Sequence, residues 1–217
     1  LYGELTFRPD YDEDELARRF RRCCHADAQA FLDLSLLNYM PGMKDNPSDP
    51  VNACKFMLYQ DPLIQLFEAD TAGYAMAEHF GSLVTRYARY ALENPDYALL
   101  FDFYTALANA LALKCVWHEQ AGDAVRSRNR EQAAALADGI PATVEALDTL
   151  RVVWRRLWES TNKPNGFEII EVRMGGIAAR MATAGEKMRA FALGQVDTIP
   201  ELEEQALITK RRPNGSI

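Results

Sequence analysis

Trp154-Arg155-Arg156-Leu157-Trp158-Glu159-Ser160-Thr161-Asn162-Lys163-Pro164-Asn165-Gly166-Phe167-Glu168-Ile169-Ile170-Glu171-Val172-Arg173 is the stretch that decides the fold. A helical pattern enters it: Leu147, Leu150, Trp154 and Leu157 recur at three, four and three residues. A second pattern leaves it: Ile170, Met174, Ile177, Met181, Ala184, Met188 and Phe191 alternate four and three. Between them lies a polar corner, Asn162 to Gly166. Pro164 has no N–H and pushes Lys163 out of the α region, and Gly166 permits a positive φ. The corner is therefore predicted to be a fixed turn joining two antiparallel helices.

Upstream, Met76, Phe80, Leu83, Tyr87 and Tyr90 mark one face of another helix. Asn94-Pro95 breaks it, with Pro95 placed as the first residue of the next. From Tyr97 to Trp117 the chain is apolar nearly all round, interrupted by Asp102, Thr105, Asn109 and Lys114. Those interruptions favour a buried central helix over a membrane span. Gly122 is expected to end it. Gly139 and Pro141 are expected to break or kink the charged segment that begins at Asp123. Gly175, Gly176 and Gly185 each cost about 1 kcal/mol relative to Ala inside a helix, so each is expected to allow close approach of another backbone. Gly194 reads as the residue just past a helix end. Ile199 to Leu207 reads as a last short helix behind Pro200.

The N-terminal part is less regular. Leu1 to Phe7 reads as a short strand or extended entry. Asp12 reads as an N-cap with Glu13, Asp14 and Glu15 in the first turn, followed by a Leu16, Phe20 and Cys23 or Cys24 stripe among arginines. Asp27 to Leu37 is a second short helix, Asn38 to Pro50 a loop, and Cys54 to Tyr59 a short apolar segment, with Gln60-Asp61-Pro62 capping another turn. The predicted fold is mainly α: a multi-helix bundle with long antiparallel helices and a short irregular N-terminal segment. Residues 1–70 form the entry segment, 71–209 the bundle and 210–217 a frayed tail.

With 48% apolar residues, 217 residues suffice to bury a core. The net charge of −7 argues against a nucleic-acid footprint and an anionic membrane surface. Cys23, Cys24, Cys54 and Cys115 contain no Cys-x-x-Cys spacing and read as reduced, mostly buried thiols of a cytoplasmic protein. No signal segment opens the chain. Leu1 in place of Met, and an opening in mid-pattern, read as a piece cut from a longer polypeptide.

No nucleophile elbow, phosphate loop, dinucleotide fingerprint or zinc-protease motif is present. His25, His79 and His118 share no ligand spacing, so no metal site and no cofactor are expected. The carboxylate clusters at Asp12 to Glu15 and at Glu201, Glu203 and Glu204 read as solvated helix ends. No catalytic residue is therefore assigned. The corner remains open to two readings. In one, its amides close the turn, Lys163 meets helix-end carbonyls, and Trp158 and Phe167 pack inside. In the other, the same groups line a polar pocket suited to a sugar. On physics alone the first reading leads.

Asn162-Lys163-Pro164-Asn165-Gly166-Phe167-Glu168, then Arg173-Met174-Gly175-Gly176 and Arg180, resemble the C-terminal helical region of bacterial β-N-acetylhexosaminidases of glycoside hydrolase family 20. Lys55-Phe56-Met57-Leu58-Tyr59-Gln60-Asp61-Pro62-Leu63 is similar to that family's connection out of its catalytic barrel. Gly194, Asp197, Ile199 and Glu201-Leu202-Glu203 also fit the pattern, whereas Asn165 stands where a bulkier apolar residue is expected. The resemblance implies an upstream (β/α)8 catalytic domain in the same chain and a substrate-assisted mechanism on an N-acetylhexosaminide. It further implies a helical domain that packs on the barrel and forms a homodimer. Extended to residues, it places Trp158, Asn162, Lys163, Asn165, Phe167, Glu168 and Arg173 beside the sugar site of the same or the partner subunit. The alternative is a free-standing helical ligand-sensing or protein-interaction module with a cavity lined by Phe103, Leu107 and Leu111.

Overall fold

The structure is a computed structural model and describes residues 12–39 and 53–204. The expected strand at Leu1 to Phe7, most of the Asn38 to Pro50 loop, and the chain after residue 204 lie outside the described residues. Among the described residues every regular element is helical. Two short helices come first among the described residues: α1, Glu13–Cys24, and α2, Ala28–Leu32, which runs into a 3-10 turn at Asp33–Leu37. Then come α3, Ala53–Tyr59, and a single turn α4, Glu68–Thr71. Four long helices follow: α5, Met76–Glu93; α6, Ala98–Arg126; α7, Arg130–Thr161; and α8, Phe167–Ala192. A last turn, α9, spans Pro200–Glu203. The mainly α bundle is thus present, and its long helices are joined by short connections that make successive ones antiparallel.

Helix α6 is the axis. It packs against α5 on one side and α7 on the other, and it carries α3 and α9 on its flanks. The five periodic residues of α5 are all buried, as the spacing requires. By length and hydropathy α6 could cross a membrane. Its buried Lys114 and Trp117, however, are tied to backbone carbonyls of the chain's own 58–62 segment.

Two breaks expected from sequence are absent. Helix α6 runs through Gly122 and ends at Arg126. Gly122 has another use: a Cβ there would lie 2.7–2.9 Å from the Arg126 guanidinium and the Glu68 carboxylate, which pair across it. The true stop is at Arg128, whose φ of 57° is left-handed. The Arg128 N–H donates to Val125 O and the Asn129 N–H to Ala124 O, a Schellman closure made without glycine. Asn129 then caps α7 by accepting the N–H of Gln132 at 3.0 Å.

Helix α7 likewise passes through Gly139 and Pro141 without interruption. Proline removes the donor that would have met Ala137 O. Arg189 of α8 supplies a replacement, its Nη2 lying 3.3 Å from that carbonyl and 2.9 Å from Asp138 Oδ1. Beside this point a Cβ on Gly185 would sit 2.9–3.1 Å from the Ile140 side chain, so Gly185 does permit close helix packing. Gly175 and Gly176 do not: both are exposed, and a Cβ on either would meet nothing within 4 Å. Gly194, with φ 74°, closes α8 as expected. All four cysteines are free thiols, but only Cys115 is fully buried; Cys24 and Cys54 are half-buried and Cys23 is exposed.

Candidate functional site

The corner is built from its own side chains. The Asn162 N–H donates to Trp158 O at 2.7 Å, and the Trp158 indole N–H donates to Lys163 O at 2.8 Å. Gly166 takes a φ of 101°, and its N–H donates to Glu168 Oε2 at 2.7 Å. Phe167 is buried, its ring centre 5.9 Å from that of Trp158 and 6.4 Å from that of Trp154. Trp158, Phe167 and Glu168 are thus engaged in holding the turn. Asn162, Lys163, Pro164 and Asn165 are exposed on its outside. Six of the seven residues expected beside a sugar sit together here. Arg173 stands about 9 Å further along α8, at 1.5 Å per residue.

Arg173 belongs to a second feature, a cleft of about 420 Å³ between α8 and the segment that ends α3. Lys55, Tyr59 and Asp61 form one wall, and Val172, Arg173, Gly176 and Arg180 the other. Two of the stretches that carry the family resemblance thus meet here. The Arg173 guanidinium lies over the Tyr59 ring, 5.7 Å from its centre. Arg180 grips Asp61 with two bonds, Nε to Oδ2 at 2.6 Å and Nη2 to Oδ1 at 3.2 Å. Asp61 Oδ1 also accepts the N–H groups of Leu63 and Ile64, so Asp61 caps a tight turn rather than a helix. Burial would raise the Asp61 pKa, but Arg180 and the two N–H groups outweigh it and hold the carboxyl below its ordinary range.

A buried polar seam fixes the wall carrying Asp61. Lys114 Nζ donates to Leu58 O at 2.7 Å and Gln60 O at 3.0 Å, and Trp117 Nε1 donates to Pro62 O at 2.8 Å. Gln60 Oε1 accepts the Phe67 N–H, so its amide nitrogen is the donor to His118 Nδ1, at 2.9 Å. His118 therefore carries its proton on Nε2 and gives it to Thr71 Oγ1 at 2.7 Å, and that hydroxyl donates to Phe67 O. Burial lowers the His118 pKa to about 4 and the Lys114 pKa to about 8. The other histidines lie elsewhere: His79 Nε2 meets Leu36 O at 2.8 Å, and His25 is exposed near Asp96. From sequence, Arg173 entered the site only through the family resemblance, Asp61 read as part of a cap, and Tyr59 and Arg180 carried no site role, because the pair that closes the cleft is 119 residues apart.

Over residues 29–216 the chain matches the family described as the Glycoside Hydrolase 20C C-terminal domain, and it belongs to that family. Such a domain sits with a catalytic domain in the same polypeptide. Helix α1 precedes the matched span. Comparison with the curated proteins returns no match.

Proposed function

We propose that this chain is the helical C-terminal domain of a β-N-acetylhexosaminidase-like glycoside hydrolase of the cytoplasm. It packs on a (β/α)8 catalytic domain, pairs with a second copy, and leaves bond breaking to the barrel. The corner, through Asn162, Lys163 and Asn165, flanks the N-acetylhexosaminide site of the same or the partner subunit. Family membership across residues 29–216 carries this reading. Two partly buried carboxylates, Asp33 and Asp61, fit that division of labour. A general acid needs a raised pKa. At Asp33, burial is outweighed by Tyr90, Gln29 and Arg86, and at Asp61 by Arg180, so both stay below the usual range. The alternative, a free-standing sensor, would need a cavity beside Leu107 and Leu111. Both are buried in the core, and Phe103 packs on Trp154 at 5.3 Å between ring centres.

An assay of this chain on an aryl N-acetylglucosaminide tests the reading. No turnover is expected, and turnover above background overturns it. In the enzyme that includes the catalytic domain, Lys163→Ala is expected to raise KM severalfold while leaving the melting temperature alone. An unchanged KM removes the corner from the sugar site.

A further inference from the structure

We propose that residues 194–203 form a salt-sensitive strap that opens as a unit while the four long helices stay folded, and that Arg128 is its latch. The strap leaves α8 at Gly194, whose φ of 74° turns the chain, and ends in the single turn α9. Between them, residues 195–199 form no regular element. Helix α9 packs on α6, and the strap adds two residues to the buried core, Ile199 and Leu202, 2% and 3% exposed.

The rest of its attachment is ionic. Each of the three acidic residues between 197 and 203 meets a cation from a different place. Asp197 Oδ1 lies 3.3 Å from Arg130 Nη2 at the start of α7, and Glu201 pairs with Lys187 of α8. Glu203 Oε1 lies 3.1 Å from Arg128 Nη2 in the α6–α7 connection. Arg126 Nη1, at the end of α6, adds a bond to Leu202 O at 3.3 Å. Arg126, Arg128 and Arg130 thus make a row across one turn, and the strap lies along it. The side chains of the three pairs are 33–93% exposed, so salt screens them. An element held by two buried aliphatic side chains and screened ion pairs belongs to the low-stability end of a fold.

The backbone at Arg128 singles it out. A φ of 57° is unfavourable for a long side chain, and glycine would take it without strain. Such a conformation persists where the surroundings demand it. The Schellman closure demands the backbone, but it needs no side chain. The Glu203 pair is what the arginine supplies and glycine would not. The other two arginines are anchored apart from the strap: Arg126 pairs with Glu68 and Asp123, and the Arg130 guanidinium lies over the Phe191 ring, 5.2 Å from its centre. Opening therefore leaves these two in place and uncovers the part of α6 on which α9 packs. The strap covers a row of cations with its own carboxylates.

Hydrogen exchange of the 217-residue chain, read by NMR at low and high salt, is the test. The Leu202 and Glu203 N–H groups, which donate to Ile199 O, report on the strap. They are expected to exchange faster than the amides of α6 and α8, and severalfold faster again at high salt while α6 and α8 hold. Arg128→Gly should speed strap exchange severalfold without lowering the melting temperature, because glycine suits this φ. Glu203→Gln should speed it equally, and Arg128→Glu combined with Glu203→Arg should restore protection. Strap amides as slow as those of the core, or indifferent to salt, overturn the strap. An equal salt effect throughout α6 and α8 means that the chain opens only as a whole and overturns it too. Unchanged strap exchange in Arg128→Gly, or no rescue by the charge swap, overturns the latch.

Discussion

Helix α8 has two sides that use the same residue type in opposite ways. On the inner side, Met174, Met181, Met188 and Phe191 are buried, and Gly185 exists because Ile140 occupies the space of its side chain. On the outer side, Ile169, Val172, Gly175 and Gly176 face solvent, and the glycines leave a gap that no other described residue fills. The helical backbone bears a similar conformational cost at each of these glycines. Inside, tertiary packing accounts for it. Outside, no other described residue supplies such an account.

The contrast gives experiments that can break it. The largest effect is expected on the inner side. Phe191→Ala removes a fully buried ring and should cost about 3–5 kcal/mol in denaturant unfolding; a loss below about 1 kcal/mol would mean that α8 is not locked onto α7. Next is the sealed seam behind the cleft. Burial, aided by Lys114 and opposed by Glu68, sets His118 near 4 in the fold, against about 6.5 when unfolded. As pH falls the unfolded chain takes up the proton first. The contribution of His118 is therefore complete above pH 6.5 and is lost on the way to pH 4, amounting to about 3 kcal/mol. The difference in stability between wild type and His118→Gln should change across that window. A pH-independent difference would show that the ring is open to water.

Gly185→Val comes third. Its Cβ would press on Ile140, and overpacking of about 1–3 kcal/mol should appear as a lower melting temperature. A neutral result would mean that α7 and α8 can part. Gly176→Ala is the smallest. With nothing within 4 Å, helix propensity alone acts, and this chain should gain up to about 1 kcal/mol. A loss instead would place an internal neighbour where the structure has open space.

Much of the fold was legible because a helix announces its buried face locally. The stripes on α5, α7 and α8 and the turn at Pro164 and Gly166 needed only the spacing of apolar residues and the limits on φ. Two boundaries misled. Gly122 and Pro141 carry strong local signals, yet Gly122 makes room for an ion pair, and the carbonyl freed by Pro141 is met by Arg189 from another helix. Conversely, α6 is closed by Arg128, two residues past its end and with no intrinsic preference for a positive φ. The site divided in the same way. The corner could be picked out by its unusual residues and Arg173 by the family resemblance, but Asp61 and Arg180 acquire meaning as a site only as a pair.

The sequence by itself determined the number and apolar faces of the long helices and the sharpness of the corner, because periodicity and backbone sterics act over a few residues. Which glycines are filled, which proline is tolerated and which face stays open were decided only by the tertiary structure. Those outcomes depend on atoms brought within bonding distance by folding, from positions too far apart in the chain for any local pattern to record.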